Sequence, residues 1–117
     1  MITYYAYPKC GTCRKAKKWL EENGVAFNEV HIAENPPSKT ELKKIHQTSG
    51  LELKKFFNTS GMKYRELGLK DKLPEMTDEE KLELLSSDGM LIKRPIAFDG
   101  EKVTVGFKEA DYENTWL

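Results

Sequence analysis

The chain has 117 residues, 38% of them hydrophobic and 32% charged, the size and balance of one globular domain built on a single core. Lysine plus arginine and aspartate plus glutamate number 19 each, and zero net charge excludes the broad basic footprint that general nucleic-acid affinity requires. Two cysteines are too few for a disulfide-stapled secreted scaffold, and no apolar run approaches the ~20 residues of a membrane span. The first residues run straight into a strand-like segment without the basic and apolar regions of a signal peptide. A cytoplasmic protein is therefore expected, with no direct nucleic-acid or membrane partner. Basic residues cluster at Arg14, Lys15, Lys17 and Lys18, and again at Lys43, Lys44, Lys54 and Lys55. Their spacing suits solvated helix faces.

In chain order, Ile2 to Tyr7 is β-branched and aromatic and stops at Pro8, which predicts a strand. Cys13 to Asn23 places Ala16, Trp19 and Leu20 on one helical face, with Gly24 as its stop. Val25 to Ile32 predicts a second strand, followed by a turn at Asn35-Pro36-Pro37. Ser38 to Glu41 has the pattern of a capping box, opening a helix that buries Leu42 and Ile45 and ends at Gly50. Leu51 to Phe57 forms a short turn or helix, and Met62 to Leu67 another, stopped by Gly68. Thr77 to Glu80 is a second capping box ahead of Leu82, Leu84 and Leu85, with Gly89 ending that helix. Asp99-Gly100 predicts a two-residue hairpin turn between a strand at 93–98 and one at 102–106, with Val103 and Val105 on one face. Phe107 to Leu117 forms a last helix, docked through Ala110, Tyr112 or Glu113, and Trp116.

The order β-α-β, helices, β-β-α describes an α/β domain with a mixed four-stranded sheet. Its core covers about residues 1–34 and 90–117, and an all-helical insertion about 35–89. Cys10-Gly11-Thr12-Cys13 sits at the first strand-to-helix turn, where a Cys-x-x-Cys pair reads as a thioredoxin-like redox motif. A helix start carries unsatisfied N–H groups and partial positive charge, which favour a thiolate. Cys10, just ahead of the helix, is the candidate nucleophile, and Cys13, in its first turn, the resolving thiol. Lys9 and Arg14 flank the pair and are candidate substrate contacts, with Gly11 and Thr12 between the cysteines. Two other readings stay open. The pair could be half of a zinc site, which within one chain would need both His31 and His46, or two inert thiols. No resident metal or cofactor is expected.

Several separate motifs in one order carry a family resemblance over nearly the whole length. Tyr7-Pro8-Lys9-Cys10-Gly11-Thr12-Cys13-Arg14, Glu34 to Ser38, Tyr64 to Gly68, Lys93-Arg94-Pro95-Ile96, and Val105-Gly106-Phe107 with Glu109 resemble the family that unites glutaredoxin-linked arsenate reductases with the redox-sensing transcription regulator Spx. The resemblance implies a thioredoxin-like fold and a cis-proline at Pro95 beside the active site. It also implies a site role for Arg94, whose guanidinium would hold thiolate, carboxylate or oxyanion.

The departures from the family pattern matter as much. The reductases bind their oxyanion with a set of arginines; Arg94 matches one, while the other two align with Asn58 and Gly106. A reductase histidine is replaced by Ala6, and Cys13 stands where those enzymes carry a hydroxyl residue. Each lost charged hydrogen bond is worth ~1.5–3 kcal/mol, so efficient arsenate reduction is not expected. With Spx the chain shares the cysteine pair, Arg94, and a glycine at Gly50 like the one Spx needs to contact RNA polymerase. A helix C′ position is by itself a sufficient explanation for Gly50, and the favoured one. The chain stops at Leu117, before the basic extension that Spx carries. The expectation is a thiol–disulfide redox protein acting on a small thiol or protein disulfide, with glutathione, glutaredoxin or thioredoxin as external reductant. The alternative is an Spx-like regulator of the RNA polymerase α subunit.

Overall fold

β1 (Ile2–Ala6) is the strand on which both faces of the molecule are organised. Successive strand side chains point to opposite faces, and each face of this sheet carries its own helical layer. Ile2, Tyr4 and Ala6 join Ala97, Cys13, Ala16, Trp19, Leu20 and Tyr112 beneath α1 (Gly11–Glu22) and α6 (Glu109–Trp116). Tyr5 turns the other way and joins Ile96 and Phe98 in a core otherwise filled mainly by residues 42–92. The computed structural model describes residues 1–117.

The sheet has four strands in the order β2-β1-β3-β4, with β2 at Phe27–His31, β3 at Ile96–Phe98 and β4 at Val103–Val105. β2 runs parallel to β1, pairing Ile2 with Phe27. β3 runs antiparallel to β1, pairing Tyr4 with Ala97, and β4 antiparallel to β3. The mixed sheet expected from the element order is the sheet observed. No helix is long and apolar enough to cross a membrane.

Between β2 and β3 lie α2 (Lys39–Ser49), α3 (Met62–Glu66), α4 (Leu69–Lys72) and α5 (Asp78–Ser87), with single 3-10 turns at Leu53–Phe56, Leu73–Glu75 and Gly89–Leu91. The capping box at α5 is complete. Glu80 N–H donates to Thr77 Oγ1 at 3.2 Å and Thr77 N–H donates to Glu80 Oε1 at 3.0 Å. At α2 only half of the expected box forms: Glu41 N–H donates to Ser38 Oγ at 3.1 Å, without the return bond. The insertion is stitched to the segment leading into β3. Asn58 N–H donates to the Leu91 carbonyl at 2.8 Å and Lys93 N–H to the Phe56 carbonyl at 2.7 Å, on either side of a Phe57–Ile92 bridge.

Three local expectations need correction. Asp88, not Gly89, caps the end of α5, and Gly89 starts the next 3-10 turn. Glycine is needed there for space: a Cβ would lie 1.9 Å from the Ile32 carbonyl oxygen. In the hairpin Phe98 pairs with Val103, so the two central turn residues are Gly100 and Glu101. Asp99 precedes them, and its Oδ1 accepts the Glu101 and Lys102 N–H groups at 2.8 and 2.7 Å. Gly100 takes φ +98, which a side chain would resist. Finally, α6 docks through Tyr112 and Trp116, whose Nε1–H donates to Thr104 Oγ1 at 3.1 Å, while Ala110 and Glu113 are exposed.

Gly89→Ala forces Ile32 and the 3-10 turn apart and should destabilise the fold by about 3 kcal/mol, the upper range for overpacking. A lowered denaturant midpoint checks this.

Candidate active site

The turn after β1 closes through the Cys10 N–H, which donates to the Tyr7 carbonyl at 3.0 Å. Cys10 then occupies the N-cap of α1 with extended backbone, φ −88 and ψ 117. Its Sγ accepts the Cys13 N–H at 3.3 Å, and its carbonyl accepts the Arg14 N–H at 3.1 Å. A first-turn N–H that has no partner inside the helix is thus aimed at sulfur. Cys13, one turn on, is 2% exposed, and its carbonyl accepts the Tyr4 hydroxyl at 2.5 Å. Beneath it Trp19 and Phe107 meet the Tyr112 ring edge-on, with centroids 5.4 and 4.7 Å apart. Both thiols are free.

The two sulfurs differ in charge preference because their surroundings differ. Burial works against a Cys10 anion, but the Cys13 thiol and N–H, together with Arg94, outweigh it and hold its pKa below the ordinary 9.0. At Cys13 burial acts in the same direction as the neighbouring Cys10 sulfur, and the pKa is pushed up to about 12. One thiol inclines to the anion and its neighbour keeps its proton.

Arg94 comes from the loop before β3. Its Nη1–H points at Met90 Sδ, 3.5 Å away, and its Cζ lies 5.2 Å from the Tyr7 ring centroid, a cation–π contact. The Arg94–Pro95 peptide is cis, as the resemblance implies. The buried Pro95 offers its carbonyl to the Gly106 N–H at 2.8 Å, tying the loop to the end of β4. A cleft of about 520 Å³ opens over Cys10, with Thr12, Asn58, Arg94 and Gly106 in its walls. The three positions that the resemblance aligns with reductase arginines therefore line one cleft with this sulfur, and only Arg94 brings a guanidinium.

Other candidates fall outside the cleft. Lys9 and Gly11 are exposed and do not line it, and a side chain at position 11 would meet nothing within 4 Å. Arg14 donates its Nε–H to the Pro8 carbonyl at 3.0 Å, which clamps the turn. It lines a smaller hollow of about 260 Å³ behind Cys13. Gly50 caps α2 at φ +68, the left-handed conformation that favours glycine. It is exposed and lines a separate cleft of about 460 Å³ with Leu51. His31 and His46 pack on Tyr7 and Phe56, and no cluster of three His, Cys, Asp or Glu side chains is placed to hold a metal ion.

Sequence reasoning did not single out Tyr4, Tyr7 or Met90, nor Lys55, Lys93 and Lys108 on the cleft walls. The only sequence signal for Lys93 is its place beside Arg94-Pro95. Lys55 matches a solvated face, and Lys108 stands in no motif.

This is a thioredoxin-like fold with a Cys-x-x-Cys pair at its first helix and a buried cis-proline directly after the Arg94 that lines the cleft. The ArsC family model matches residues 5–115, and the chain belongs to that family. It is 71% identical over 115 residues to YusI of Bacillus subtilis (strain 168), covering 98% of each chain. It is 35% identical to the regulatory protein MgsR of the same strain, across 94% of this chain and 86% of MgsR. It is 32% identical to the global transcriptional regulator Spx of Streptococcus agalactiae, across 93% and 78%. Among solved structures, SACOL0876 of Staphylococcus aureus superposes with a TM-score of 0.92 at 54% identity, covering 100% of this chain and 99% of that one. An arsenate reductase from Vibrio cholerae superposes at 0.80 and 28% identity, covering 89% and 87%.

Because the Cys13 thiol and N–H and Arg94 favour the Cys10 anion, thiolate absorbance against pH should show Cys10 ionising below an ordinary cysteine thiol and before Cys13. Arg94→Ala should move that transition upward, toward the free-thiol value.

Proposed function

We propose that the chain is a thiol–disulfide exchange protein in which Cys10 is the nucleophile and Cys13 the resolving thiol. The observation that carries this reading is the unequal pair, with Cys10 Sγ accepting a helix-start N–H in an open cleft and Cys13 buried behind it. The Cys10 thiolate attacks a substrate disulfide, forming a mixed disulfide and releasing one thiolate. The Cys13 sulfur then attacks Cys10 Sγ, expelling the second half of the substrate, and its proton passes to that leaving group or to water. The substrate disulfide is reduced to two thiols while the dithiol becomes a Cys10–Cys13 disulfide. A thiol reductant such as glutathione, or a glutaredoxin or thioredoxin, would restore it. The cis-Pro95 loop and the Arg94 guanidinium flank the approach to Cys10, which suits them to holding the incoming group.

Arsenate fits the site poorly. Asn58 and Gly106 leave Arg94 as the one guanidinium in the cleft, and the planar bidentate forks that match an oxyanion are correspondingly fewer.

A second reading is supported by similarity to MgsR and Spx and by the exposed Gly50 beside Leu51, which is 42% exposed. In that reading the insertion surface meets a protein partner such as the RNA polymerase α subunit, and the state of the Cys10–Cys13 pair sets the affinity.

A Cys13→Ala variant cannot resolve the intermediate, so pull-down under non-reducing conditions should retain substrates as mixed disulfides on Cys10. Absence of any reducible adduct, with RNA polymerase subunits co-purifying instead, would favour the regulator. In a coupled assay beside an arsenate reductase of the family, arsenate turnover should be lower by at least about a hundredfold, the loss expected from two missing charged hydrogen bonds. Comparable turnover would overturn the argument from Asn58 and Gly106.

A further inference from the structure

The cleft over Cys10 is strongly one-signed in a chain whose net charge is zero. Lys55, Lys93, Arg94 and Lys108 line it against a single acid, Asp111. None of the four cations makes an ion pair, since every salt bridge in the molecule lies elsewhere. Arg94 touches the Met90 sulfur and the Tyr7 ring, neither of which carries charge, and otherwise faces the Cys10 sulfur whose anion it favours. The cations also come from separate walls. Lys55 lies on the insertion, Lys93 and Arg94 on the loop before β3, and Lys108 at the N-cap of α6. Lys93 is aimed by its surroundings. Its N–H is held by the Phe56 carbonyl, and its stem crosses Gly106 so closely that a Cβ there would lie 3.3 Å from Lys93 Cε. A side chain at position 106 would crowd the end of Lys93, an exposed side chain, by a few tenths of an ångström.

We propose that this wall is an anion subsite that selects the substrate of Cys10, favouring the disulfide of a small thiol that carries carboxylates, with Lys93 as the specificity-determining residue. The inference rests on the exchange reaction proposed above and adds the chemical class of its substrate. Spread ammonium groups do not reproduce the bidentate fork that a compact oxyanion prefers. They do attract carboxylates distributed along an extended ligand, and a cleft of about 520 Å³ falls in the range that holds such a molecule. Clefts lined by one sign of charge raise the encounter rate of oppositely charged ligands, and salt weakens the effect. Attack by the Cys10 thiolate transfers no charge to Lys93, which acts on binding alone.

The test compares the rates at which the reduced protein is oxidised by dithiobis(nitrobenzoate), which carries a carboxylate on each half, and by neutral dithiodipyridine. Taking the ratio of the two rate constants for each variant removes the difference in leaving group between probes. In Lys93→Glu the anionic-to-neutral ratio should fall on the order of tenfold, Lys93→Arg should keep the ratio of the parent chain, and added salt should lower the parent's ratio toward that of Lys93→Glu. A ratio indifferent to both Lys93→Glu and salt overturns the subsite while leaving the exchange reaction standing. Failure of both probes to oxidise the folded protein overturns the exchange reaction and the subsite together.

Discussion

One backbone hydrogen bond, from the Cys13 N–H to Cys10 Sγ, makes two chemically identical side chains unequal. The N-cap of a helix is the one place where a sulfur can receive a main-chain donor that the helix leaves over. The next turn of the same helix is already committed to the core. Cys13 is accordingly packed with Ala6, Ala16 and Tyr112, and its carbonyl is held by Tyr4. Burial disfavours a charged sulfur at both positions, and only at Cys10 do hydrogen bonds and Arg94 outweigh it. Neither effect needs a metal or a general base.

The sheet gives that asymmetry its direction. β1 sends Tyr4 and Ala6 beneath α1 and sends Tyr5 into the core of the insertion, so a single strand connects the thiol site to the helices at 39–87. The insertion forms one wall of the cleft as well as covering the other face of the sheet. Backbone bonds between residues 56–58 and 91–93 fix Lys55 and Asn58 relative to Arg94. Gly89, pressed against the Ile32 carbonyl, sets where that loop begins.

Relatives of this chain include regulators, and its structural neighbours include an arsenate reductase. The fold is common to both, and function has to be argued from side chains. What sets this chain apart from the oxyanion-binding pattern that the resemblance implies is the cleft wall, where Asn58 and Gly106 bring no guanidinium and Lys55, Lys93 and Lys108 supply positive charge beside Arg94. Ammonium groups on flexible stems and guanidinium forks favour different ligands at the same sulfur.

Local patterns made much of the protein legible from its residues. The alternation in β1, the stripe of Ala16, Trp19 and Leu20, the box at Thr77 and the Cys-x-x-Cys turn each depend on neighbours within a few positions, so β-α-β and the cysteine at the helix start could be read directly. The cis Arg94–Pro95 bond came from family resemblance, because sequence alone gives any X-Pro bond only a small cis fraction. Three features were decided by tertiary structure. Gly89 resembles a helix stop but serves a contact with Ile32, just past β2 and 57 residues away in sequence. Ser38 opens a box that Glu41 does not complete. Lys55 and Lys108 carry no motif and Lys93 only opens the Arg94-Pro95 block, and the three line the cleft over Cys10 only when the insertion, the loop before β3 and α6 close around it. Short-range spacing specifies a helix start and the sulfur that caps it, whereas the charge of a cleft is a sum over distant segments that only folding brings together.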